Sequence, residues 1–194
     1  MLENFKASLK AFEAKGYEIV PIDLSLAHYA LAVYYIIMPA EASTNLARFD
    51  GVRFGLSVPG TTPDETYINT RGSGFGKEVQ RRIMLGSYVL SHGYYDAFYK
   101  KAVALRAAII KDFAKAFEQV EFIATPTSPI PAFTFGEKTK DPLAMYLADI
   151  FTVPVNIAQI PAVSIPSGKT KNNLPLGIQL MAAQWNDASL FEIG

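Results

Sequence analysis

Residues 75–120, FGKEVQRRIMLGSYVLSHGYYDAFYKKAVALRAAIIKDFAKAFEQV, run without a gap into EFIAT at 121–125. The first stretch has helical periodicity, broken near Ser91 to Gly93, and predicts two helices. The second is a short apolar run and predicts a strand. A helical block feeding a strand commits the chain to layers in which helices cover a sheet. Other stretches repeat the theme. Residues 3–15 read as an amphipathic helix closed by Gly16, and YEIVPI at 17–22 reads as a strand. AVSIPSG, KTKNNLP and LGIQLMA form two apolar runs around a polar turn, which is a hairpin pattern. The expected fold class is α/β: a mixed sheet flanked by helices, with strands near 17–22, 121–125, 162–168 and 176–181. So few strands leave an unpaired edge, and self-association through it is expected.

SLAHYALAVYYIIM begins at Ser25, a good capping residue, and is expected to stop at Pro39. It is apolar almost all round, so it predicts a buried helix, and His28 on it reads as a core histidine. From there to about residue 70 the chain reads as irregular. In DPLAMYLADIFTVPVN, residues 141–156, a helix is expected between Pro142 and Pro154. Asp149 falls in its second half, where the helix dipole opposes a negative charge. Unpaired burial there costs several kcal/mol more. Asp149 therefore faces water or has a cationic partner.

A candidate partner lies on the helix that starts near residue 76. Val79, Ile83, Gly86 and Leu90 form an apolar stripe, with Arg82 beside it and Arg81 pointing further away. Arg82 and Asp149 together make sense as a structural ion pair, or as two poles for a zwitterionic ligand.

Composition narrows the function classes. With 194 residues, half of them hydrophobic, the chain can build a sizeable core in a single domain. The 18 basic residues equal the 18 acidic ones, which removes the basic field a nucleic-acid binder needs. Any RNA contact would be local or made by a partner. No cysteine is present, so disulfides, thiolate zinc sites and a cysteine nucleophile are excluded, and the two histidines have no metal-ligand spacing. The longest apolar run, about 26 to 38, is too short to span a bilayer, so a cytoplasmic protein without membrane contact is expected. No S-x-x-K or G-x-S-x-G motif occurs. GSGFGK at 72–77 has the wrong spacing for a phosphate loop, and SGKT at 167–170 carries Val163 where a Walker motif needs its first glycine.

Three stretches carry a family resemblance: YALAVYYIIMPAEASTNLARFDGVRFG (29–55), RGSGFGKEVQRRIMLGSYVLSHGYYDAFYKKA (71–102) and DPLAMYLADIFTVPVNIAQIPAVSIPSG (141–168). Together they resemble the A subunits of the aspartyl/glutamyl-tRNA amidotransferases, which are amidase-signature enzymes. The resemblance implies an amidase-signature fold present only as its C-terminal part, residues 1–194 forming one fragment of an amidase domain. It implies a glutaminase whose Ser nucleophile, bridging Ser and Lys belong to the N-terminal half, so this chain is expected to be inactive alone. Ammonia would pass to a B subunit, which uses ATP and Mg to amidate glutamyl- or aspartyl-tRNA and makes most of the tRNA contact. B and C subunits are the implied partners, and no cofactor is implied for this chain. Matching the motifs residue by residue assigns glutamine to Arg82, Asp149 and Tyr34, with Tyr35 as the neighbouring alternative. Arg82 would take the carboxylate and Asp149 the ammonium. Glu41, Ser43, Asn45 and Arg48 would shape a nearby loop. Ser73 stands where the family carries an acid, which removes a charge from the TRGSGFG loop. Two other readings stand beside this one: a fragment of a general amidase, and a noncatalytic protein that binds the partner subunits.

Overall fold

A computed structural model describes residues 1–137 and 145–193. The chain divides into two units, Met1–Leu31 with Arg106–Gly194, and Ala32–Leu105.

The first unit holds the sheet. Helix α1 is Leu2–Ala14, and Gly16 after it adopts φ 96°, a left-handed conformation natural to glycine. Strand β1 is Phe122–Pro126. Ala162–Lys169 and Pro175–Ala182 form the expected hairpin and are called β2 and β3. All pairing is antiparallel, in the order β1-β3-β2. The turn between β2 and β3 closes through Thr170 N–H to the Leu174 carbonyl at 2.8 Å, with Asn173 at φ 63°. Asparagine tolerates that conformation better than most residues.

β3 is central and its residues are buried from Ile178 to Ala182. Strand alternation sends Ile178, Leu180 and Ala182 to one face. There they pack with Leu190 and with Phe5, Leu9 and Phe12, whose spacing places them on one side of α1. Gln179 alternates to the opposite face.

The second unit is helical. Helix α2, Ala30–Leu46, follows a 3-10 turn at Ala27–Tyr29 in the first unit and enters the second at Ala32; α3 is Pro63–Gly74; α4 is Lys77–Val89. A π-helical turn at Tyr95–Tyr99 leads into α5, Lys100–Ala116, which continues into the first unit.

Several expectations need correction. Residues 17–22 join no sheet, and Tyr17, Ile19 and Val20 are exposed, because a strand requires a neighbour to satisfy its backbone and none reaches this segment among the described residues. The helix expected to stop at Pro39 runs through it to Leu46. Proline's φ suits a helix, the loss is one hydrogen bond, and Pro39 is fully buried. Glu41, Ser43 and Asn45 are therefore helical, while Arg48 follows the helix. His28 is exposed and lies against the Tyr29 ring at 3.8 Å, not in a core.

The region read as irregular to residue 70 contains α3. Its start obeys local rules that the sequence does display: Thr62 caps it by accepting from Glu65 N–H at 3.2 Å, Pro63 opens the first turn, and Asp64 and Glu65 are acids near its positive end. Ser73 consequently sits in the last turn of a helix rather than a loop.

Candidate functional site

Helix α4 brings Arg82 against α2. Gly86, one turn beyond Arg82, is buried, and a Cβ built on it would fall 1.9 Å from the Pro39 carbonyl oxygen and 2.7 Å from Ser43 Oγ. Only glycine allows that approach. It seats the Arg82 side chain beside Tyr34 and Met38, which lie on the same stretch of α2.

The Arg82 side chain is 30% exposed, and among the described residues its guanidinium meets Glu78, Met38 and Tyr34. Nε donates to Glu78 Oε1 at 2.9 Å, Nη1 donates to Met38 Sδ at 3.2 Å, and Tyr34 shares a hydrogen bond with it. Partial burial works against its charge, but the bonds to Glu78 and Tyr34 outweigh this and hold its pKa above the ordinary arginine value. Arginine carries more N–H donors than these contacts use, so the fork retains capacity for a carboxylate. Arg81, expected to point away, is 51% exposed and meets Glu78 from the other side.

Tyr34 and Arg82, two of the three assigned residues, are thus in contact. Tyr35, the alternative, packs its ring edge-on against Tyr34 at 5.2 Å. The carboxylate paired with Arg82 is that of Glu78, a residue not singled out from the sequence, although its i, i+4 spacing to Arg82 was there to be read.

Asp149 belongs to the first unit. It ends a 3-10 turn, Leu147–Asp149, and is exposed. Pro142, where its helix was expected to start, lies outside the described residues. Pro154 does not end a helix: it occupies the first turn of the next one, α6, Val153–Ala158, where a missing N–H has no consequence. Asp149 is accordingly exposed, free of the cost an unpaired buried acid would carry.

The sheet holds this turn on both sides. Ser128 Oγ, just after β1, donates to the Ala148 carbonyl at 3.4 Å. Gln179 Nε2 donates to the Phe151 carbonyl at 3.0 Å and to Thr125 Oγ1 at 3.0 Å. Gln179 is 5% exposed, and a buried amide with two partners in the apolar run LGIQLMA is a positioning device that the hairpin pattern concealed. Beside it, Ser128 lines a cleft of about 420 Å³ together with Thr127, Ser164 and Phe133. Thr127 and Ser164 join their hydroxyls at 2.7 Å across Gly177, where a Cβ would collide with Thr127 Oγ1.

The two loop motifs set aside on spacing behave accordingly: Gly74 ends α3 and Lys77 begins α4, while Lys169 ends β2 and leads into the turn. Among the described residues no cluster of His, Asp or Glu could hold a metal ion, and no helix is long and apolar enough to cross a membrane.

Arg82 lies on the helical unit and an exposed Asp149 on the sheet unit, and comparison with known proteins gives the class of the chain. Residues 1–191 match the Amidase family model, and the chain belongs to that family. It is similar to the A subunit of the glutamyl-tRNA(Gln) amidotransferase of Maricaulis maris, at 51% identity over 192 residues, and to that of Thermodesulfovibrio yellowstonii, at 52% over 193. These matches cover 99% and 98% of this chain but 39% and 40% of the relatives. Among solved structures, the crystal structure of the glutamyl-tRNA(Gln) amidotransferase A subunit from Thermotoga maritima is 38% identical with a TM-score of 0.70, covering 97% of this chain and 36% of that one. A crystal structure of an amidase, at 20% identity and a TM-score of 0.73, shares the fold and covers 99% of this chain and 40% of that one. The amidase-signature fold expected from the motifs is therefore the fold of this chain, which spans well under half the length of its relatives. The match also takes in α1, upstream of the residues that carried the resemblance.

Proposed function

We propose that this chain is the glutamine-holding part of a glutaminase A subunit in a tRNA-dependent amidotransferase. The observation that carries the reading is the Tyr34–Arg82 contact, set in segments about half identical to those of amidotransferase relatives. Arg82 takes the α-carboxylate through its unused donors, Tyr34 fixes the orientation of the guanidinium, and Asp149 takes the ammonium. Two poles of opposite sign recognise a zwitterionic amino acid and reject a neutral amide. The Ser, bridging Ser and Lys that open the glutamine amide are supplied by the longer protein. Ammonia then moves to a B subunit, held with a C subunit in the cytoplasm, where ATP and Mg activate the glutamyl- or aspartyl-tRNA; tRNA is gripped mainly there.

Asp149→Asn, placed in the full-length protein assembled with its partners, tests this reading. The expected result is a fall in glutamine-dependent tRNA amidation of roughly tenfold to a hundredfold, with free-ammonia-dependent amidation and melting temperature unchanged. Equal loss with both ammonia donors, accompanied by a lower melting temperature, would assign Asp149 to the fold instead.

A further inference from the structure

Glu78 stands in the first turn of α4, where a negative charge is favourable beside the positive end of the helix. That place explains an acid, but not the way its two oxygens are used. Oε1 accepts from Arg82 Nε at 2.9 Å, and Oε2 accepts from Arg81 Nη1. Spacings of i, i+4 and i, i+3 put both arginines within reach of one carboxylate. A carboxylate beside an arginine commonly closes a two-bond fork with it. Here the second oxygen goes to the neighbouring arginine, and Glu78 holds Arg82 by Nε alone.

The consequence is an uneven guanidinium. Nε carries a single N–H, and an anion holds it. Every other donor of the group is on Nη1 or Nη2. Nη1 donates to Met38 Sδ at 3.2 Å, and a thioether is a weak acceptor. Tyr34 shares one further hydrogen bond with the group. An incoming carboxylate replaces a thioether readily; it does not replace another carboxylate so easily. Charge points the same way. Glu78 and Arg82 by themselves would be neutral, whereas Arg81 offsets Glu78 and leaves the positive charge of Arg82 for a ligand.

We propose that Glu78 is a positioning residue for glutamine: it fixes Arg82 by Nε, Arg81 occupies its second oxygen, and the Nη1 and Nη2 edge is thereby left to take the α-carboxylate end-on. This rests on Arg82 being the carboxylate-binding group, as proposed above. Glu78 and Arg81 touch no substrate and act through Arg82. Ion pairs of this kind along a helix contribute little to stability, so their loss is felt in binding.

Initial rates of the full-length protein assembled with its partners test this, with glutamine or free ammonia as donor and Arg82→Lys as the reference. Glu78→Leu releases Nε and lets the fork turn, so the KM for glutamine should rise about tenfold or more, while kcat, ammonia-dependent amidation and the melting temperature hold. Glu78→Gln keeps an acceptor for Nε and should recover part of that loss. Arg81→Leu lets Oε2 close the fork on Arg82, and the KM should rise about threefold or more although Arg81 never meets the ligand. A raised KM in Arg82→Lys with an unchanged KM in Glu78→Leu overturns the role of Glu78 and leaves the proposed function standing. An Arg82→Lys enzyme with an unchanged KM overturns both. Equal loss with both donors in Glu78→Leu, accompanied by a lower melting temperature, makes the pair structural and also overturns the proposal. Should Glu78→Leu fail to fold, Arg81→Leu decides, and an unchanged KM there overturns it.

Discussion

Gly86 lies against the Pro39 carbonyl so closely that a single added carbon would sit 1.9 Å from the oxygen. Each residue looks unfavourable alone: a glycine inside one helix and a proline inside another. Together they let α4 press onto α2, and that contact is what places Arg82 on Tyr34 and Met38.

Gly86→Ala sets two effects against each other. Alanine gains about 1 kcal/mol in helix propensity. The clash is with backbone, which cannot rotate away, and overpacking of this kind costs about 1 to 3 kcal/mol or more. The clash wins, and the melting temperature should fall by roughly 2 to 10 °C. Thermal unfolding followed by circular dichroism checks this, and a variant as stable as the parent would mean the helices separate freely.

Arg82→Lys and Tyr34→Phe separate charge from geometry. Lysine keeps the positive charge but loses the planar fork that meets Glu78 and, in the proposed role, would meet the glutamine carboxylate as well. In a full-length assembled enzyme, Arg82→Lys should raise the KM for glutamine by about tenfold or more. Tyr34→Phe should raise it less, because the fork stays and only its orientation loosens. Initial rates against glutamine concentration provide the check, with ammonia-dependent rates as the control.

Gln179→Leu preserves bulk but abandons the Thr125 hydroxyl and the Phe151 carbonyl. A buried polar group left without a partner costs about 1 to 3 kcal/mol. The urea midpoint should drop, with the slope of the transition unchanged. Thr125→Val combined with Gln179→Leu should recover part of the loss, since it removes one of the abandoned groups.

Acid should loosen the segment between α2 and α3 before the sheet. The N–H groups of Val52 and Arg53 bond Asp50 Oδ1 at 2.8 and 3.1 Å and hold its carboxyl below the usual range. The Thr61 hydroxyl, and its N–H at 2.7 Å, do the same to Glu65. Both folded values lie below the unfolded ones, so the contribution to stability is complete above an unfolded carboxylate pKa near 4 and is lost as pH falls through the lower folded values. Amide exchange at Val52, Arg53 and Thr61 should accelerate in that window, and Asp50→Asn should weaken the pH response at Val52 and Arg53.

The 194-residue chain alone should release no ammonia from glutamine. Binding groups and positioned donors do not replace a nucleophile and its base in acyl transfer. Ammonia release abolished by replacing a serine within this chain would place the chemistry here after all.

Local chemistry was legible where periodicity and caps speak for themselves. The helices at 77–89 and 100–116, the strand after them and the hairpin follow from spacing, whereas Arg82, Asp149 and Tyr34 came only as what the motif resemblance implies. Even α3 was written in its Thr62, Pro63, Glu65 start. What the tertiary structure decided are the features whose energy comes from a neighbour distant in sequence. YEIV has a strand's composition, yet it is no strand because a strand exists only when another backbone accepts its hydrogen bonds. Pro39 stays inside a helix because burial against surrounding side chains exceeds the one bond it removes. His28 was expected inside an apolar helix, and only packing could show that its face is left open. The sequence left Asp149 two choices, an exposed position or a cationic partner; in this chain its turn is exposed, because Ser128 and Gln179 hold the backbone on either side of it.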